Sequence, residues 1–311
     1  MWESGEGPRL RPHILVSFTS HNIRLDDGTY TKPDAGFSMD VHPWLLAAKR
    51  MLDVTFPGDK THLRIADLGC LEGGYTVEFA RMGLHALGLD VRELNIEACR
   101  YVQSKLNLPN LEFVLDDVWN IASYGVFDAV FCCGIFYHLD KPREFLNVLS
   151  KVTKRLLILQ THFAEADASP AFIRPRRLRR AIARVLPLKN TGTTTHKLSF
   201  LSENEGVPGR WMQEFRSKRA FIDRPNRRWA AWNNTKSFLM QREYIFQSMR
   251  EAGFDVVLEQ FDWLGSNLAF ELTKGSYRAS GRGTFIGIKT SYAADSGTIR
   301  GPDIDPRLRQ A

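Results

Sequence analysis

From residue 62 onward the chain alternates short apolar runs with amphipathic stretches, and no other property restricts its fold as strongly. Apolar runs bounded by turn residues predict strands at 63–68, 86–91, 111–115, 127–133 and 155–160, with helical stretches between them. A strand that leads through a helix to the next strand returns parallel to the first, and such sheets are covered on both faces. After an irregular stretch, the pattern predicts a helix at 236–252, closed by Gly253, and two further strands at 256–261 and 285–289. The expectation is therefore an α/β fold: a doubly wound, seven-stranded, mostly parallel sheet with a long insertion after the fifth strand.

This divides the 311 residues into an N-terminal flap and helix at 1–60, one enlarged domain at 61–290 with an insertion at 163–235, and a tail at 291–311. The tail is rich in Gly, Pro, Asp and Arg and is expected to be disordered. In the flap, the turn Asp26-Asp27-Gly28-Thr29-Tyr30-Thr31 precedes a helix from Pro43; it is either a fold over the cofactor with Tyr30 as a wall or a simple surface turn. No apolar run approaches the roughly 20 residues of a membrane span, and the first residues carry charges and glycines where a signal peptide would be apolar. Cys70, Cys99, Cys132 and Cys133 show no CxxC pairing, so neither a disulfide framework nor a metal site is expected. These features predict a cytoplasmic protein with reduced, buried thiols; they are silent on oligomeric state.

The residues with the clearest chemistry fall at strand ends. Asp67-Leu68-Gly69-Cys70-Leu71-Glu72-Gly73-Gly74 closes the first strand, where an open α/β sheet forms its ligand crevice. Gly69 and Gly73 let the backbone approach a ligand closely. Leu71 stands where a dinucleotide site would need its second glycine, and the acid at Asp67 suits a cationic ligand better than a pyrophosphate. Asp90, followed by Val91, ends the second strand, where a carboxylate can accept both hydroxyls of a ribose. Asp116 and Asp117, followed by Val118, end the third, and one of them is placed to accept an adenine amino group.

On the strength of DLGCLEGGYT, the acid of GLDV, the acids of FVLDDV and the fourth-strand segment FDAVFCCGIFYHLDKP, the chain resembles the class I S-adenosylmethionine-dependent methyltransferases. The resemblance spans about 62–289, and its departure is Leu71, where the family's DxGxGxG pattern has a glycine. It implies S-adenosylmethionine as cofactor, with Gly69 near its amino acid end, Asp90 at the ribose and Asp117 at the adenine. Asp67, Cys70, Gly73, Val91, Val118, Cys133 and Tyr137 complete the expected cofactor site. The FYHLDKP portion is similar to the matching segment of bacterial tRNA carboxymethyltransferases and of many natural-product methyltransferases.

Methyl transfer is an in-line displacement, so the protein mainly has to align an acceptor atom with the methyl carbon. A hydroxyl acceptor gains from a base, and a histidine suits that near neutral pH. His138 after the fourth strand and His162 after the fifth are the candidate catalytic residues. The insertion carries Glu203-Asn204-Glu205-Gly206-Val207-Pro208-Gly209-Arg210-Trp211 and Trp229-Ala230-Ala231-Trp232-Asn233-Asn234, whose aromatic and amide groups suit an aromatic or ring-shaped acceptor. It also holds a basic amphipathic helix at 172–188, where Arg174, Arg176, Arg177, Arg179, Arg180 and Arg184 crowd together and the net charge of the chain is +7. The favoured reading is O- or N-methylation of a small molecule; the alternative is methyl or carboxymethyl transfer to tRNA or another RNA, in which the arginines would meet phosphates. The plain reading of the arginine-rich helix is a solvated face; as a functional element it could lie on a membrane surface, grip RNA or serve as a lid, and without a nucleic-acid-binding motif the lid is preferred.

Overall fold

The computed structural model describes residues 16–165, 198–263 and 281–290. The five apolar runs form β1 (Arg64–Leu68), β2 (His85–Asp90), β3 (Leu111–Leu115), β4 (Phe127–Cys133) and β5 (Thr153–His162). Helix α1 (Pro43–Thr55) precedes them, and α2 (Gly74–Arg81), α3 (Glu93–Gln103) and α4 (Pro142–Val152) connect them together with a 3-10 segment at Val118–Tyr124. Then follow β6 (Leu198–Asn204), β7 (Val207–Gln213), α5 (Lys218–Ile222), β8 (Lys236–Met240), α6 (Arg242–Glu251), β9 (Val256–Gln260) and β10 (Arg282–Ile288).

The main sheet has the order β3-β2-β1-β4-β5-β10-β9, seven strands with β10 antiparallel to both its neighbours and the other pairs parallel. The strand order reverses between β1 and β4, so the crevice opens above those strands. Ile65, Phe131, Ile158 and Ile286 pack on one face with α1 and α2, while Leu68, Cys132, Leu159 and Phe285 pack on the other with α4 and α6. Each such Leu, Ile or Phe side chain stabilises the fold by about 1.5–3 kcal/mol. Burial on both faces is why these strands read as continuous apolar runs rather than as alternating ones.

Two sequence expectations are corrected. Lys236–Met240 is a strand, not the first turn of a helix: it pairs antiparallel with β7, and the helix begins only at Arg242. Ser237, Phe238, Leu239 and Met240 are all buried, and a short run buried on every side carries no period that separates strand from helix. The insertion is also more regular than expected. β6, β7 and β8 form a three-stranded sheet, and β6 and β7 are joined by Glu205-Gly206 with φ of 53° and 76°. Two successive residues of positive φ make the tight hairpin that matches strand twist.

The turn at 26–31 does not wall the crevice. Arg24 and Tyr30 form a β-bridge, the Arg24 carbonyl accepts from Arg81 at the far end of α2, and Asp26 accepts from the Asn107 amide beyond α3. That places Tyr30 toward the opposite end of the helices from the strand tips. The basic helix expected at 172–188 and the tail from 291 lie outside the described residues. Among the described residues, no helix is long and apolar enough to cross a membrane.

Candidate cofactor and acceptor site

The glycine loop holds its shape although one glycine is replaced. Leu71 adopts φ of 54°, the left-handed conformation a glycine would take there, and its amide donates to Asp90 Oδ2 at 3.1 Å. Gly69, at φ 69°, lies so close to the segment after β4 that a Cβ would stand 2.2 Å from Ile135 Cγ1. At Gly73 a Cβ would meet Phe113 at 2.6 Å. Cys70 contributes backbone rather than thiol, since its Sγ is buried 4.0 Å from Cys99 Sγ.

The acids at the strand tips differ in what they touch. Asp67 is buried and accepts from Thr76 Oγ1 at 2.6 Å, and burial pushes its carboxyl up to about 7. Asp90 accepts from the Leu71 and Arg92 amides and from Asn95 Nδ2, while burial raises its carboxyl above the usual range. Two buried atoms beside it, Asn95 Oδ1 and Arg92 Nε, have no hydrogen-bond partner. Asp117 Oδ1 caps the 3-10 segment through the Trp119 amide, and Oδ2 accepts from Asn233 at 2.5 Å. Val91 and Val118 flank these acids, the second of them buried.

Residues 19–21 and 228–233 then cover this edge. Glu72 is fully buried and accepts from the amides of Thr19, Ser20 and His21 and from Arg228 Nη1. Burial alone would raise its carboxyl, but the three amides hold it below the usual range. His21 Nδ1 in turn accepts the Gly74 amide at 2.9 Å, capping α2, and burial holds this imidazole down at about 4. From the insertion, the Trp232 ring has the guanidinium groups of Arg92 and Arg224 at 5.4 and 4.9 Å from its centre, and Arg92 donates to the Ala230 carbonyl. Thus the Trp229–Asn234 motif reaches the tips of β2 and β3. The Glu203–Trp211 motif does something else. Glu205 caps α4 by accepting from the Arg143 and Glu144 amides, and Trp211 packs against Phe238.

A second cluster stands above β4 and β5. His138 Nδ1 lies 2.7 Å from Glu214 Oε1, and Glu214 also accepts from Ser237 Oγ and the Ala231 amide. Since an ionised carboxylate only accepts, the Nδ1 proton belongs to the imidazole. Burial alone would raise the Glu214 carboxyl, but its bonds to His138 and Ser237 hold it low. Tyr137 packs against both histidines, its ring centre 4.3 Å from that of His138 in a tilted contact and 4.7 Å from that of His162 in an edge-on one. His162 Nδ1 lies 3.2 Å from the Gly281 carbonyl and so donates to it. Cys133 Sγ faces Gln160, and among the described residues a Cβ at neighbouring Gly134 would meet only the Tyr137 hydroxyl, at 3.8 Å. Among the described residues no group of His, Cys, Asp and Glu has the arrangement of a metal site.

Sequence reasoning missed Glu214, Glu72, Arg92 and Arg228. Glu72 and Arg92 lie in the loops after β1 and β2 and the other two in the insertion, but nothing local marks a carboxylate that meets its partner 76 or 156 residues away.

The set fits S-adenosylmethionine. Carboxylates end two adjacent strands, unpaired buried polar atoms surround one of them, and backbone without Cβ groups lines the loop. Acceptors of this kind suit ribose hydroxyls and an adenine amino group, and no row of free loop amides awaits a pyrophosphate.

A family model described as a methyltransferase domain matches residues 65–156. The ubiquinone biosynthesis O-methyltransferase of Dictyostelium discoideum is 31% identical over 104 residues, 30% of this chain and 32% of that protein. The tRNA U34 carboxymethyltransferase of Pseudomonas fluorescens is 34% identical over 110 residues, 33% of this chain and 34% of that protein. The matched region thus spans about a third of these curated relatives' own length. Among solved structures, the N-terminal domain of EvdMO1 in the presence of S-adenosylhomocysteine and D-fucose has a TM-score of 0.55 at 20% identity, covering 85% of this chain and 88% of that one. The same domain with S-adenosylhomocysteine bound gives 0.52 at 22% identity, covering 79% and 81%. At that identity the likeness is one of fold.

Proposed function

We propose that this chain, a member of the class I S-adenosylmethionine-dependent methyltransferase family through its methyltransferase domain, methylates an oxygen or nitrogen atom of a small-molecule acceptor. The observation that carries the acceptor side is the His138–Glu214 pair, a carboxylate-oriented imidazole on the rim where β4 ends. Bound S-adenosylmethionine supplies an electrophilic methyl group on a positively charged sulfur. The residues that would hold it are Gly69, Gly73 and the backbone of Cys70 at the loop, Asp90 with Val91 at the ribose, and Asp117 with Val118 at the adenine. Asp67 acts from below, through Thr76 and the start of α2, while Cys133 and Tyr137 border the transferred group.

His138 then has a defined task. With its Nδ1 proton fixed on Glu214, Nε2 is the nitrogen able to take a proton from an acceptor hydroxyl, and Glu214 stabilises the imidazolium that results. His162 supports Tyr137 from the other side. The cover made by residues 19–21 and 228–233 shields the cofactor edge at the tips of β2 and β3 from water.

A second reading, transfer to tRNA or another RNA, draws support from the similarity to tRNA U34 carboxymethyltransferases and from the basic run at 174–184. One experiment separates the two. The full chain is incubated with methyl-labelled S-adenosylmethionine and, in parallel, a panel of hydroxylated and amino metabolites or bulk tRNA. Label in a metabolite, with tRNA binding weak at physiological salt, supports the first reading; label in tRNA, with binding that falls steeply as salt rises, reverses it. Failure to bind S-adenosylhomocysteine at millimolar concentration overturns both.

A further inference from the structure

Among the described residues, Arg282 on this rim has no counter-charge. Arg282 opens β10 and pairs in register with His162 at the end of β5, so it stands at the same tip of the sheet as Tyr137 and the β4 end. Its guanidinium carbon lies 4.4 Å above the ring of Trp44, in the first turn of α1. Among the described residues it forms no ion pair, and its buried Nε has no hydrogen-bond partner. The other partly buried arginines of the site are engaged through their terminal nitrogens: Arg228 with Glu72, and Arg92 and Arg224 with backbone carbonyls. Arg282 is half-buried, with its Nε shielded and the rest of its fork available to a partner that brings acceptor oxygens.

The surroundings define what would pair with it. Its positive charge reaches Tyr75, Cys133 and Tyr137, where it opposes the burial that raises those hydroxyls and that thiol. At His42 the charge adds to burial in holding the imidazole low, so that neighbour stays neutral and brings no competing cation. Directly beneath, Trp44 and Cys133 share a cavity of only about 10 Å³ with Gln160, Gln260 and Trp263. There Gln160 Nε2 and Trp263 Nε1 are buried donors without acceptors. That space holds one water at most. The receptor is the fork itself with the aromatic rings beside it, which suit a flat group ending in anionic oxygens.

We propose that Arg282 sets acceptor specificity by binding the carboxylate of a ring-containing acid, whose ring lies among Trp44, Tyr75 and Tyr137. The inference rests on the methyltransferase reading above and narrows it from a small molecule to an organic acid. Lysine would keep the charge at this position but lose the bidentate geometry.

The test uses the full chain saturated with S-adenosylhomocysteine. Matched acids and amides (benzoate with benzamide, phenylacetate with phenylacetamide, indole-3-acetate with indole-3-acetamide) are compared by saturation-transfer NMR and calorimetry. At least one acid is expected to bind about tenfold to a hundredfold more tightly than its amide. Arg282→Gln is expected to abolish that preference and Arg282→Lys to keep part of it, with S-adenosylhomocysteine affinity unchanged in both. Equal binding within every pair, or no acid bound at millimolar concentration by protein that holds S-adenosylhomocysteine, overturns the assignment of Arg282. If Arg282→Gln does not fold, the wild-type comparison decides alone. Loss of S-adenosylhomocysteine binding in the wild type would instead strike the methyltransferase reading, and is read separately from the acid preference.

Discussion

His138 and Glu214 meet at 2.7 Å although 76 residues separate them, and the carboxylate that makes the contact is almost fully buried. A buried acid bonded to one imidazole nitrogen fixes which nitrogen is left for chemistry. On this basis His138→Ala is expected to lower kcat by about a hundredfold to ten-thousandfold. Glu214→Gln keeps the volume of the side chain and removes the charge. It should lower kcat by about tenfold to a hundredfold, as expected for one charge-assisted bond, while leaving S-adenosylhomocysteine affinity as it was. Steady-state kinetics beside calorimetry check this; a Glu214→Gln enzyme with normal kcat would make the contact merely structural.

Asp90 receives three hydrogen bonds at the end of β2, beside two buried polar atoms that have none. Asp90→Ala therefore removes both an anchor for the glycine loop and the acceptor assigned to the ribose. S-adenosylhomocysteine binding is expected to weaken about tenfold to a hundredfold, corresponding to roughly 1.5–3 kcal/mol. Calorimetry on a variant with native circular dichroism makes the measurement, and unchanged affinity would remove Asp90 from the cofactor site.

Two buried groups give opposite pH dependences to stability. Burial lowers His21 from 6.5 to about 4, so its contribution is complete above pH 6.5 and is lost as pH falls toward 4. Burial raises Asp67 from 3.8 to about 7, so the fold is favoured by this group below pH 3.8 and loses stability as pH rises through 7. Asp67→Asn should accordingly gain on the wild type by on the order of 2 kcal/mol between pH 5 and pH 8. His21→Asn should lose ground to it between pH 5 and pH 7, where the wild-type imidazole becomes neutral and accepts the Gly74 amide without penalty. Urea titrations at these pH values give the differences; differences that do not vary with pH would contradict both shifts.

The frame of the molecule was legible in the chain because local chemistry dictates it. Residues buried on both faces of a parallel sheet must be apolar in runs, and the acids Asp67, Asp90 and Asp117 announce themselves by standing where those runs stop. Even the replaced glycine at Leu71 did no damage, since the loop bonds to Asp90 and so enforces the left-handed backbone a glycine would have taken freely. Where the sequence misled, a local signal was ambiguous. The run 236–240 has no period to distinguish strand from helix, and only its pairing with β7 decides.

What the sequence determined by itself was the strand-and-helix order, the seven-stranded sheet and the acids and glycines at its ligand edge, all set by neighbours within a few residues. The tertiary structure alone decided which side chains close the site: Glu72 with Arg228, Asn233 with Asp117, Glu214 with His138, and Arg282 above Trp44. The reason is physical. Hydrophobic periodicity encodes which face of an element is buried, whereas a hydrogen bond or an unpaired charge depends on which distant segment packs against that face, and nothing near a residue in the chain records its partner.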